Sequence, residues 1–292
     1  MSMLSMILFV LKISIVLSVF AFGLNSTLGD ATYMFRHPRD LARALLSMYV
    51  LMPLLALGMA MGFHLDPPVQ IALVALAVSP VPPIFSKKAE KAGGSDDYSI
   101  GLLVATGVLS VVIIPITMKI FENMTGIPLH TPIGSVAALV LTTVLLPLLA
   151  GIAVRAASPR FAERAAHPIG KWAAILLIVS LLPVLVGSIR TILSLIGNGT
   201  VLSFAIFALV GYAIGDFFGR PEFEKRRVLS LATASRHPAI AVAIAHANFP
   251  EQKLALPAIV LYLLVSAVVT GFASKRKPAG VAPGKPQRQM AA

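Results

Sequence analysis

The chain of 292 residues contains no cysteine. That absence excludes a disulfide framework and any thiolate metal site. Charge is scarce as well. Only 12% of the residues are Asp, Glu, Lys or Arg, against about 25% in an ordinary soluble domain. Acidic residues are the rarer sign, 12 against 24 basic ones. No nucleophile–base pairing, metal-ligand spacing or Gly-rich phosphate loop is found. The acid pair Asp96 and Asp97 lies in a Gly/Ser loop with no His near it. An enzyme is not expected, and neither is a cofactor or a metal.

What the chain does contain is apolar surface. Hydrophobic residues make up 57% of it, with a mean hydropathy of +0.88. That composition predicts an all-α polytopic protein whose main partner is the lipid bilayer. The formal net charge of +12 does not point to nucleic acid, because the basic residues sit in short loops between apolar stretches. The N-terminus lacks a basic leader, Lys12 interrupts its apolar run, and no small-residue cleavage site follows. It reads as a first span rather than a signal peptide.

A helix needs about 20 apolar residues to cross the hydrocarbon core. Nine stretches qualify: residues 4–28, 40–63, 68–92, 98–121, 132–156, 170–190, 200–219, 227–247 and 253–274. Lys and Arg concentrate after the first, third, fifth and seventh stretches and in the tail. The alternate loops hold only Lys119, Arg190 and Lys253. The positive-inside rule then puts the N-terminus outside and the C-terminus in the cytoplasm, in what we read as a bacterial inner membrane.

Prolines interrupt the third and eighth stretches. "SPVPPI" begins at Ser79, with Pro80, Pro82 and Pro83; "SRHPAI" begins at Ser235, with Arg236, His237 and Pro238. Both read S-x-x-P-x-I. They lie five crossings apart, and an odd offset makes the copies antiparallel. We therefore expect inverted repeats, residues 1–121 (lacking the first helix of the repeat) and 122–275, followed by a disordered cytoplasmic tail over 276–292. Proline removes an N–H and frees a carbonyl, which lipid cannot satisfy. Two such breaks, crossing, would bring helix ends to one buried point, the sequence pointer to a secondary transporter.

Arg236 lies nine residues past Arg227, about 13 Å along a helix axis. A charge near mid-membrane costs roughly 2.5–3.5 kcal/mol on insertion scales and needs a partner. The partner is a carbonyl end of the broken third helix or an anionic substrate; the bland alternative is an Arg that snorkels to an interface. His237 either carries a proton or stays neutral, bonded to freed backbone. Lys87 and Lys88 lie inside the bilayer if the third helix resumes to about Ala92, where one could face the crossover as a second fixed cation. If it stops near Ile84 they are ordinary loop charges. Asn25, with Ser26 and Thr27, either lines a cytoplasmic cavity or caps the first helix. Asp216 reads as a cap or ion-pair residue.

The stretch "FGLNSTLGDATYMFRHPRDLARALLSMYVLMPLLAL", Phe22 to Leu57, resembles the bile acid:sodium symporter family. The third stretch and "KRRVLSLATASRHPAIAVAIAHANF" fit that family's two crossing helices, in a nine-helix form. The resemblance implies a panel domain and a core domain, with stretches 1, 2, 6 and 7 supplying much of the scaffold. It also implies sodium-coupled uptake of organic anions. Yet the positions that match the family's sodium ligands have changed. A Gln before the Met-Pro of the second helix aligns with Met48. A Glu and a Gln in the second crossing helix align with Ala232 and Arg236, and a Ser-Asn pair with Phe85 and Ser86. A hydroxyl pair on the next helix is kept as Thr106 and Ser110. Sodium needs several oxygens, and a guanidinium repels it. We therefore expect transport of a small, carboxylate-bearing anion without sodium. The alternatives are a non-transporting sensor or assembly partner, and a sodium symporter with rebuilt sites.

Overall fold

The computed structural model describes residues 3–130 and 133–275, which are helical with no strand among them. The expected tail over 276–292 lies outside the described residues. Helix α1 is Met3–Leu24 and α2 is Pro38–Gly62. Two single turns between them, Leu28–Ala31 and Tyr33–Arg36, are opened by a capping box in which Thr27 and Asp30 exchange hydrogen bonds. The third stretch is split into α3 (Pro67–Val78) and α4 (Phe85–Lys91). Then come α5 (Asp96–Thr125), α6 (Ile133–Ala157), α7 (Pro159–Ser194) and α8 (Thr200–Phe218). The eighth stretch is split into α9 (Phe223–Ala234) and α10 (Pro238–Asn248), and α11 is Ala255–Lys275.

Among the described residues six helices are long and apolar enough to cross a membrane: α2, α5, α6, α8, the α9–α10 pair and α11. Shorter apolar helices cover Lys12–Leu24 of α1 and all of α3. The remaining expected stretch falls on α7, which runs through Pro168 and Pro183.

Proline accounts for where the helices break. Ser79 precedes Pro80 and is extended, φ −74° and ψ 145°; His237 precedes Pro238 with φ −76° and ψ 106°. The ring of a following proline disfavours helical geometry in the residue before it. A gentler disturbance occurs in α2 and α6, where π-helical turns at Leu46–Leu51 and Leu141–Leu145 stand just ahead of Pro53 and Pro147. Each proline offers no N–H to the preceding turn, and the widened turn absorbs the loss.

Two bundles result. Helices α1, α6 and α7 pack on one another; α8 packs on α9 and α11, and α3 packs on α2, α10 and α11. This corrects the expected scaffold. Stretches 2 and 7 join the broken helices, and stretch 5 takes their place beside stretches 1 and 6. The reason is local. A Cβ on Gly23 would stand 2.9 Å from the Gly151 Cα, and one on Gly151 would stand 2.4 Å from the Phe20 carbonyl oxygen. Backbones of α1 and α6 meet there with no side chain between them. Lipid gives little hydrophobic drive between helices, so such close contact holds them together.

Gly151→Ala and Gly23→Ala should therefore each lower stability by about 1–3 kcal/mol, the usual penalty of overpacking. Gly58→Ala in α2, where an added Cβ meets nothing within 4 Å, should not. Thermal unfolding in detergent checks both.

Candidate functional site

The two proline breaks meet. The His237 backbone N–H donates to the Pro80 carbonyl oxygen at 2.9 Å, tying one unwound segment to the other. Arg236, between them, is 1% exposed. Its Nη1 donates to the Ser79 carbonyl at 3.2 Å and its Nη2 to the Met48 carbonyl at 3.1 Å. Ser79 is the residue on which α3 ends, and Met48 lies in the π turn of α2. The last carbonyl of α9, on Ala234, accepts from the Tyr262 hydroxyl of α11 at 2.7 Å.

The electrostatics follow from these partners. The carbonyl end of a helix carries partial negative charge, and the ends of α3 and α9 come together at the crossing. A guanidinium, with five fixed donors, suits several carbonyls at different angles better than an ammonium would. Around it the buried Tyr49 hydroxyl donates to the Thr106 carbonyl at 2.9 Å. The Thr233 hydroxyl donates to the Ser47 hydroxyl at 3.4 Å. Four buried polar atoms at or next to the breaks find no partner among the described residues: Ser86 Oγ, Arg236 Nε and both ring nitrogens of His237. Unpartnered buried polar atoms are uncommon in native structures.

The profile of the Sodium Bile acid symporter family matches residues 12–195. The chain belongs to the sodium bile acid symporter family. It is also 22% identical, over 242 residues, to the "Uncharacterized sodium-dependent transporter YocS" of Bacillus subtilis (strain 168); that covers 81% of this chain and 74% of the relative. A transporter embedded in a membrane is thereby established in outline. The family match holds the first break, Ser79 to Ile84, and stops before the second, so Arg236 lies beyond it.

The positions aligned with the symporter family's sodium ligands offer little to a metal ion. The side chains of Met48, Phe85 and Ala232 are buried and carry no oxygen. Met48 contributes a carbonyl, which Arg236 already holds. No group of three or more His, Asp or Glu that could hold a metal occurs among the described residues. The kept hydroxyl pair turns inward on its own helix: Ser110 Oγ donates to the Gly107 carbonyl at 2.6 Å and Thr106 Oγ1 to Leu103 at 3.5 Å. Ser79 likewise donates to Ala75 at 2.7 Å. Pro82 and Pro83 are buried in the break, and Ser235 and Pro238 flank the Arg-His pair.

Other candidates lie elsewhere. The amide of the exposed Asn25 turns back to the Ala21 carbonyl at 3.3 Å, the local role rather than the cavity role. Helix α4 does resume to Lys91, but its lysines do not act as second cations on the crossing carbonyls. Lys87 Nζ donates to the Gly170 carbonyl of α7 at 3.1 Å, and Lys88 Nζ to the Thr270 hydroxyl of α11 at 3.0 Å. The half-helix projects them outward to neighbouring helices once the chain has left the break. Asp216 pairs with Arg226 through two Nη2 contacts of 2.9 and 2.7 Å. Residues not foreseen from sequence are Tyr49 and Tyr262. A tyrosine within an apolar stretch looks like packing until its hydroxyl is seen to meet a freed carbonyl.

Arg236→Met should leave the Ser79 and Met48 carbonyls unpartnered, at about 1–3 kcal/mol each. A clear fall in the thermal unfolding midpoint in detergent is expected. Arg236→Gln, which can still donate to one carbonyl, should fall between the two.

Proposed function

We propose that this symporter-family chain is a secondary transporter of a small, carboxylate-bearing organic anion that works without sodium. In this reading the chain crosses the membrane nine times as two antiparallel repeats, with the N-terminus outside. The bundle of α1, α6 and α7 is the panel, the remaining helices are the core, and the two rock against each other to expose the crossing alternately. Arg236 takes the position at which family members bind a mobile cation, and it never leaves.

One observation carries the reading: the Arg236 guanidinium bonds the carbonyl on which α3 ends and the freed carbonyl in α2. A sodium ion held between discontinuous helices would neutralise the same partial charges. A tethered guanidinium does so in every state of the cycle, so it cannot couple transport to a gradient. Ser86 and His237, buried and unpartnered, give the crossing polar groups to offer a substrate. The second reading, sodium coupling through sites rebuilt elsewhere, draws on the sodium-dependent name of the Bacillus relative. The loss of oxygen ligands at Met48, Phe85 and Ala232 weighs against it.

Uptake of a panel of labelled carboxylates into proteoliposomes tests the proposal. Replacing external sodium with choline should leave the initial rate within about twofold, where a tenfold loss would correspond to about 1.4 kcal/mol of coupling. A collapse of uptake in choline would establish sodium coupling instead.

A further inference from the structure

Arg236 spends a donor of each terminal nitrogen on backbone at the crossing, and a second cation stands at the seam between the bundles. That cation is Lys87. It sits on α4, within the core bundle, yet both of its neighbours belong to the other bundle. Its Nζ donates to the Gly170 carbonyl on α7 at 3.1 Å and lies 5.7 Å from the centre of the Phe22 ring on α1. An ammonium has three donors and no acceptor. Among the described residues one donor is taken, by a neutral carbonyl. The charges acting on it from its own helix, Glu90 and Lys91, oppose each other. Its side chain is half-buried. Lys88 differs: its partner, Thr270, lies within the same bundle as itself.

We infer that Lys87 is the anion-recognition group at the seam between the two bundles. It takes the carboxylate of an organic anion whose apolar body lies along Phe22. This rests on the anion-transport reading above and adds a residue to it. The Gly170 carbonyl holds the ammonium while the seam is empty. A carboxylate brings a full negative charge to the ammonium where the carbonyl brings only a dipole, so it displaces that carbonyl. The ammonium rests close against the α7 backbone there: an added Cβ on Gly170 would stand 3.4 Å from Nζ, at van der Waals contact. A ligand held there touches both bundles at once, where a rocking motion would be felt.

The lack of native cysteine makes the test clean. Gly170→Cys in the full chain places a single thiol beside the ammonium, which should raise its thiolate fraction. In purified protein at pH 7, iodoacetamide should alkylate it roughly five- to tenfold faster than in Gly170→Cys/Lys87→Met, the effect of a nearby cation on a thiol. Lys87→Arg should keep the faster rate. Benzoate should slow alkylation severalfold toward the Lys87→Met rate, benzamide should not, and neither should matter once Lys87 is Met. Equal rates with and without Lys87, or equal effects of benzoate and benzamide, would overturn the assignment. Flux is not needed for this readout. A protein that passes it but moves no anion in liposomes would refute the transport reading and keep the site. One that transports without this response would do the reverse.

Discussion

Everything at the centre of this protein depends on a guanidinium meeting the carbonyl ends of interrupted helices. A helix that stops inside a membrane leaves carbonyls with no partner and a partial negative charge pointing at the break. Water does not reach them freely and lipid offers no donor. Arg236 answers both problems, bonding Ser79 and Met48 while placing a full positive charge beside the ends of α3 and α9. The charge itself would be costly at that depth without such partners. The breaks and the arginine thus stabilise one another.

The division into bundles gives that centre its setting. Close glycine contact joins α1 to α6 and, through Gly215 against the Leu229 backbone, α8 to α9; the helices around the crossing also pack through larger apolar side chains such as Phe204, Phe207 and Tyr262. Tyr262 stands edge-on to both phenylalanines, at 5.7 Å, and carries its hydroxyl to the end of α9. One ring serves both the packing of the core and the satisfaction of a broken helix. The seam between bundles is spanned by an apolar cluster that includes Val19, Ile100 and Leu148, and is crossed by the Lys87 hydrogen bond to the Gly170 carbonyl.

Much of this was legible in the sequence, and for identifiable reasons. Arginine is rare and costly in an apolar stretch, and it stands beside a proline in the eighth while three prolines cluster in the third, so Pro80, Pro82, Pro83, Arg236 and Pro238 announced the breaks and the need for a carbonyl partner. The absence of oxygen at Met48 and Ala232 could be read from residue type alone. Direction could not. Seven residues of α4 are enough to swing Lys87 and Lys88 away from the crossing, and residue type does not encode that rotation. Nor did helix order reveal which spans share a bundle, because packing in lipid turns on small residues such as Gly23 and Gly151 rather than on hydrophobicity. Tyr49 and Tyr262 stayed hidden because a phenol in an apolar run has the same pattern whether or not its hydroxyl is used.

The account stands or falls on whether a tethered cation has replaced a mobile one. Thermal unfolding of the purified protein, followed while sodium is raised against choline at constant ionic strength, measures this most directly. A site for sodium would stabilise the folded state by about 2.7 kcal/mol at a hundred times its dissociation constant. The account predicts a midpoint that does not move with sodium. A midpoint that climbs with sodium and saturates would contradict it.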